Sequence, residues 1–515
     1  MADGVGSTEP PESGGAGSAG PGAEGGGTRR RCVSATIRAP ENCRSAIYSC
    51  AVPQTSLAGR PTFAARAHAR PQAKAWRAIV LAGSIPFLFL HSRFQPDYAV
   101  AVGSTTVDIR LADVAIAIVL VGALVAGIRE GFEPLRAGRM LWLCGAGLLA
   151  WVAFETLRPT SLRDAVFADH AVSALKLAEY ASLALAVPLL VRRASDVAIV
   201  LWALIGWSTI AVAVALLQFF GLDAFEASSA GWRYPSFLGR HDFAALCVPA
   251  VSLAIGCLLA AWARRERSWL FALALTSGVV GLVLAGSVTA AGGLVLGAAL
   301  ATGAARRRFT PSPRELLAVL AVVVAVALGV VAIRSSTIND FLGFVGIRQH
   351  EQVTGVESYS QRTVLAYIGL RIFEDRPLLG AGWQRSSQPS VFEPYLPDAH
   401  RRFPDVVPLA FPSPEHPWGV QNLYVQTLAD MGLVGFVLLL ALGASGLVLA
   451  WRTAGHASTS WAVGTGLLTL CALLTLGGTW ASLGLVPGIP LQAATSLVLG
   501  LAAAGAATVE DETRG

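Results

Sequence analysis

Charge is what this sequence has least of. Asp, Glu, Lys and Arg together make up 14% of the 515 residues, whereas a soluble domain carries about 25%. With 54% of the residues hydrophobic, too little charge is left to coat a globule of this size, which excludes a water-soluble enzyme. Cysteine is sparse and badly placed for cross-linking. Cys32, Cys43 and Cys50 fall near the start, and Cys144, Cys247, Cys257 and Cys471 fall inside apolar stretches. None lies in the longest polar loop, so a disulfide scaffold is excluded there. CxxC and CxxH spacings are absent, so nothing points to a metal or another cofactor. Residues 1–75 lack the continuous apolar core of a signal peptide. Their Gly, Ser, Ala, Pro and Arg content predicts a disordered cytoplasmic tail, or else one whose arginines meet anionic lipid.

What is present is a repeated apolar run of the length, about 20 residues, that crosses a bilayer. Twelve such segments can be counted. The first, 78–90, is short, and the seventh and eighth are nearly continuous over 269–304, divided near Gly286. The expected fold is an all-α polytopic membrane helix bundle of about twelve transmembrane helices. Nine lie within 76–333 and three within 424–509, with a large, partly helical loop at 334–423 and a short tail at 510–515. The net charge of +6 sits mostly in loops, where it reports topology rather than a nucleic-acid partner. With the N-terminus inside, inner loops hold thirteen arginines and short outer loops six. The positive-inside rule then puts both termini in the cytoplasm of a plasma (inner) membrane and the long loop outside.

A loop of about ninety residues is longer than packing requires, and such loops usually carry function. Residues 360–374 show a helical pattern in which Val364, Leu365, Ile368 and Phe373 share a face, and Pro377 and Gly380 stop it. Three features stand out: Arg362 on this helix, the run Arg376-Pro377-Leu378-Leu379-Gly380-Ala381-Gly382-Trp383, and the segment from Gln421-Asn422-Leu423-Tyr424 to Asp430-Met431-Gly432-Leu433-Val434-Gly435. They resemble the arginine-bearing amphipathic helix, the PLLGxG turn and the HN-L-Y…E-x-G-L-x-G helix entry of the bacterial O-antigen ligase and O-antigen polymerase superfamily. That resemblance implies a membrane glycosyltransferase. It would move a glycan from a polyprenyl-diphosphate carrier to an acceptor hydroxyl on a glycan, lipid or protein, as ligase or as polymerase.

Chemistry agrees with the resemblance. A lipid diphosphate presents oxyanions at the membrane surface, and guanidinium groups bind these through paired, charge-assisted hydrogen bonds. Arg233, Arg240, Arg334, Arg348, Arg362, Arg371, Arg376, Arg385, Arg401 and Arg402 all fall on the outer side. The alternative is that they pair with nearby acids in ordinary salt bridges. Arg362 and Arg371 are nine residues apart and point to opposite helix faces. Both cannot aim at one phosphate from a straight helix; the resemblance implies Arg362 for the site, which leaves Arg371 to structure or the rim.

In the family a histidine beside asparagine is thought to act as general base. Here Gln421 holds that place beside Asn422, and a carboxamide takes no proton at neutral pH. His416 is the candidate to replace it, or else a solvated loop histidine. His241, which with Arg240 opens a membrane helix, is the next candidate. A second departure is Ser287-Val288-Thr289, where many family members carry an arginine; Arg240 is the candidate substitute. The expected site thus comprises His416 and Arg362 as catalytic groups, with Arg240, His241, Gln421, Asn422 and Arg385 binding substrate.

Three acids within the spans are read structurally. Lys176 and Glu179 form a pair three residues apart, and Asp113 and Asp430 sit near helix ends within reach of water, Asp430 as a helix cap. The competing readings of the whole chain are a catalytically silent relative and a transporter or flippase for lipid-linked glycans. Transporters commonly show internal repeats, and no clear repeat is seen.

Overall fold

The computed structural model describes residues 75–102, 105–158, 165–222, 225, 233–260, 268–344, 358–457 and 460–514. The expected N-terminal tail lies almost wholly outside these residues. The described residues form an all-α polytopic bundle. Among the described residues, ten helices are long and apolar enough to cross a membrane, and two shorter apolar helices, Trp76–Leu88 and Trp269–Ala285, occupy the places of the first and seventh expected segments.

In chain order the bundle begins with α1 (Trp76–Leu88), α2 (Leu111–Glu130), α3 (Arg139–Leu157), α4 (Ala165–Leu190), α5 (Ala194–Phe219) and α6 (Arg240–Leu259). Next come α7 (Ser268–Ala285), α8 (Val288–Arg306), α9 (Pro313–Ile333) and the short α10 (Ser335–Phe344). The loop carries α11 (Ser358–Asp375), α12 (Pro389–Phe392) and α13 (Leu396–Arg402), and α14 (Leu423–His456), α15 (Ser460–Trp480) and α16 (Pro490–Arg514) complete the chain. The division near Gly286 holds: this glycine has φ +60°, a conformation only glycine adopts without strain, and it turns α7 into α8.

The first outer loop contains an element that the sequence reading passed over. Strands β1 (Asp97–Val102) and β2 (Thr105–Arg110) form an antiparallel hairpin, with Tyr98 opposite Ile109 and Val100 opposite Val107. It is a small addition to a helical fold.

α6 is the most enclosed of the long spans, 89% of its apolar window lying inside the protein. Close approach around it depends on small residues, as is usual where helices pack without a hydrophobic driving force. A side chain on Gly278 of α7 would run into the Val251 backbone of α6, and one on Gly293 or Gly297 of α8 would run into the α15 backbone at Leu474 and Cys471. α8 and α15 are thus locked together along a Gly-x-x-x-Gly stripe, and the register between them is set.

The loop has a small apolar core of its own. Val364, Ile368 and Ile372 of α11 meet Ala381, Val391, Phe392, Ala399 and Phe411. Ile372 completes the buried face of α11; the expected Phe373 is only half-buried, because the face drifts with the 3.6-residue period.

The loop and α14 are stitched together at the PLLGxG turn. α14 is broken at Gly432, whose φ of 63° and ψ of −165° are non-helical. The backbone groups freed by the break are taken up by the turn: Ala381 and Gly382 donate to the carbonyls of Ala429 and Asp430, both at 2.8 Å, and Leu433 donates to Pro377 at 2.8 Å. Gly380 (φ 73°) and Gly432 lie at the crossing, where a Cβ on either would collide with the other segment's backbone.

Two expectations about acids are corrected here. Asp430 is 1% exposed, not open to water. Its carboxylate accepts from the Ser386 amide at 2.8 Å and the Gln426 side chain at 3.1 Å, so it anchors the loop rather than capping a helix. Asp113, in the first turn of α2, stays partly exposed as expected, but it and not Glu179 is the tighter partner of Lys176; Glu179 stands at 3.6 Å.

Candidate functional site

The site lies where the N-terminus of α6, the α7–α8 turn, the end of α9, the start of α11 and the 421–422 and 481–482 turns converge. Each arginine reaches it for a local reason. Arg233 and Arg240 flank a short loop whose shape is set by Gln218 at the end of α5. Its carboxamide accepts from the Ser236 amide at 2.8 Å and donates to the Ser236 carbonyl at 3.0 Å, holding a residue with φ 60°. Arg334 caps the C-terminus of α9. The α7–α8 turn passes beneath the first and third of these arginines: a Cβ on Gly286 would touch the side chains of Arg233 and Arg334, both at 3.4 Å.

Arg362, one turn into α11, is held from two sides. Its Nε donates to Gln421 Oε1 at 3.1 Å, and a terminal nitrogen stands 3.4 Å from His241 Nε2. Arg233, Arg240, Arg334 and Arg362 are close enough to repel one another. Burial first, and then the three other guanidinium groups, push Arg233 down to about 9. Burial and the Arg334 and Arg240 charges lower Arg362, and burial and Arg240 lower Arg334. Among the described residues, the charges that bear most on Arg233 and Arg362 are those of other arginines, and Arg233 Nε is buried without a hydrogen-bond partner there. A buried charge left uncompensated costs several kcal/mol, and an anion placed among these groups would offset their mutual repulsion.

His241 makes a second contact, through Nδ1, with Ser482 Oγ at 3.3 Å. Ser482 in turn accepts from Thr289 Oγ1 at 3.0 Å and donates to the Thr479 carbonyl at 3.0 Å. The Gly-x-x-x-Gly contact between α8 and α15 is what brings Thr289 and Ser482 together. Val288, at the place where the resemblance implies an arginine, is 50% exposed.

The remaining expected residues take other places. Asn422 caps α14, its oxygen accepting from the Tyr424 and Val425 amides at 3.0 and 3.1 Å, and its nitrogen donates to the Ala481 carbonyl at 2.8 Å. It therefore fixes Gln421 and the 481–482 turn relative to each other. Arg385 sits half-buried in the short turn Arg385–Ser387. His416 is exposed in a tight turn closed by Ser413, with its ring stacked on Trp418. The structure joins Arg362 to His241 and Gln421, not to His416. Arg371 is turned to the loop's outer side, where it meets Glu374 and Asp398.

Beside the polar site lies an apolar cavity of about 670 Å³ between α3, α4, α14, α15 and α16, with Leu141, Leu148, Leu177, Leu442, Leu473 and Trp480 in its walls. Tyr424 and Leu485, close in sequence to Asn422 and Ser482, also line it. The arginine cluster and a greasy cavity thus draw on neighbouring turns.

The fold and the site define a polytopic membrane protein with a cluster of arginines at the end of the bundle that bears its long loop. Residues 271–440 match the family described as O-antigen ligase. The match takes in Arg334, Arg362 and Gln421 but neither the α6 N-terminus nor Ser482. No curated protein matches the chain.

Proposed function

We propose that this protein is a membrane glycosyltransferase that moves a glycan from a polyprenyl-diphosphate carrier to an acceptor hydroxyl at the extracytoplasmic face. The observation that carries the reading is the convergence of Arg233, Arg240, Arg334 and Arg362, whose guanidinium groups act on one another as like charges. Two phosphates bring the negative charge that offsets this repulsion. Guanidinium groups already aimed at the diphosphate stabilise the charge that builds on it as the glycosyl bond breaks. The adjoining apolar cavity suits a lipid chain of the donor or the acceptor. With the arginines of the cluster counted as outer, the long loop faces away from the cytoplasm.

The test is to incubate purified protein in lipid with a polyprenyl-diphosphate glycan and candidate acceptors. Release of the lipid diphosphate together with a glycosylated acceptor is the expected result, and acceptor choice separates ligase from polymerase. Binding of the donor without release, by wild type as well as by Arg362→Ala, would make the protein a carrier.

A further inference from the structure

We propose that His241 is the general base of the transfer, held in its working tautomer by Ser482 and Thr289; this rests on the glycosyl-transfer reading above. The position at which a family histidine is expected is Gln421, which cannot take a proton. Yet Gln421 and His241 touch the same guanidinium, Arg362, one through Oε1 at 3.1 Å and the other through Nε2 at 3.4 Å. A base on α6 therefore stands beside the same arginine that a base at 421 would touch.

The hydrogen bonds choose the tautomer. A guanidinium only donates, so Nε2 presents its lone pair toward Arg362. Nδ1 then carries the proton and donates it to Ser482 Oγ at 3.3 Å. Ser482 cannot reverse this bond, because its own hydrogen is committed to the Thr479 carbonyl and Thr289 donates to its oxygen. The relay ends in the glycine-packed α8–α15 contact, which keeps the imidazole from rotating. Ser482 and Thr289 are thus positioning residues, while His241 reaches the reacting hydroxyl.

The step balances as follows. Arg362 turns from Nε2 to the donor's phosphate oxygens, and the acceptor hydroxyl takes its place against Nε2. The acceptor oxygen forms a bond to the anomeric carbon as the anomeric C–O–P bond breaks. The bonding pair leaves with the lipid diphosphate, and the hydroxyl proton passes to Nε2. The added negative charge of the leaving diphosphate offsets the imidazolium, which later gives its proton to solvent.

The experiment compares wild type, His241→Gln, Ser482→Ala, Ser482→Thr and the double variant His241→Gln with Gln421→His, in vesicles at matched protein levels. Lipid-diphosphate release and donor binding are read separately. His241→Gln is expected to lower release by about a hundredfold or more with donor binding within about threefold of wild type. The imidazole that the double variant carries at position 421 is expected to restore part of the loss. Ser482→Ala is expected to lower kcat with KM for the donor unchanged, and Ser482→Thr to recover it. Release by His241→Gln within about threefold of wild type would overturn the assignment. So would a loss of donor binding equal to the loss of release. His241→Asn replaces His241→Gln if the latter does not reach the membrane. A wild type that releases nothing while binding donor sinks the transferase reading itself, and the base with it; an active wild type with an equally active His241→Gln sinks the base alone.

Discussion

At the end of the bundle away from the long loop, Arg77 is 1% exposed, and both its terminal nitrogens meet carboxylates, Glu130 at 2.5 Å and Asp196 at 3.3 Å. Next to it Arg192 donates to the Glu130 and Gly131 carbonyls at 2.9 and 2.7 Å. At the loop-bearing end Arg233 is nearly as buried, at 7% exposed, but the charges that act on it are other arginines. One chain therefore buries arginine in two ways. Where the group serves structure, it is neutralised within the fold. Where it is left against like charge, the compensation has to come from outside, and an unfavourable arrangement that persists in a fold points to function.

The comparison is broken most severely by removing the paired arginine. Arg77→Ala leaves Glu130 and Asp196 without their cation, and loss of one member of a buried ion network costs about 3–5 kcal/mol. Denaturation and membrane yield should show that loss, with transfer per folded molecule unchanged. A folded Arg77→Ala protein with impaired transfer would erase the distinction between the two ends. Arg362→Ala should do the reverse: turnover falls by about a hundredfold or more with little change in yield. Arg362→Lys should fall between, since it keeps the charge and loses the paired donors. Arg371→Ala, on the loop's outer side, should keep turnover near wild type.

Smaller effects sharpen the contrast. Arg233→Met removes a buried charge with no carboxylate to answer it among the described residues. It should raise the melting temperature of the ligand-free protein by about 2–4 °C while weakening inorganic pyrophosphate binding several-fold. A lowered melting temperature would mean that Arg233 is neutralised after all. Last is pH. The folded value of Arg233, about 9, lies well below that of an arginine in the unfolded chain, so its buried charge weighs fully against the folded state below about pH 9. That cost is relieved as pH rises toward the unfolded value. Pyrophosphate affinity should accordingly hold to about pH 9 and decline above it, and Arg233→Met should remove that decline. Titration calorimetry across pH 7–10 checks both.

The spans were legible in the sequence because about twenty apolar residues leave a bilayer helix few alternatives. The α11 helix and the PLLGxG turn were legible for a similar local reason. What was not legible depended on chain segments meeting in space. His416 lies only five residues from Gln421 in sequence, but backbone hydrogen bonds between Ser413 and His416 fold that stretch into an exposed turn. His241, 180 residues from Gln421 in sequence, touches the same guanidinium. Arg233 and Arg334 were two of ten outer arginines, and only the α7–α8 turn at Gly286 shows that they meet. The break in α14 was hidden too, since an apolar run containing one glycine reads as continuous helix. The hairpin was missed because its alternation spans only six residues on each side.

The stitch between the PLLGxG turn and the break at Gly432 bears on how the loop can be handled in isolation. Its apolar core includes Ala429, and three backbone donors at the crossing find their acceptors across the boundary between loop and membrane helix. A soluble fragment cut at 358–422 would lose that strip and expose Val364, Ile368 and Ile372. The loop is therefore not an excisable domain. A fragment meant for ligand screening would have to carry residues up to about 435, or be complemented by a peptide that supplies them.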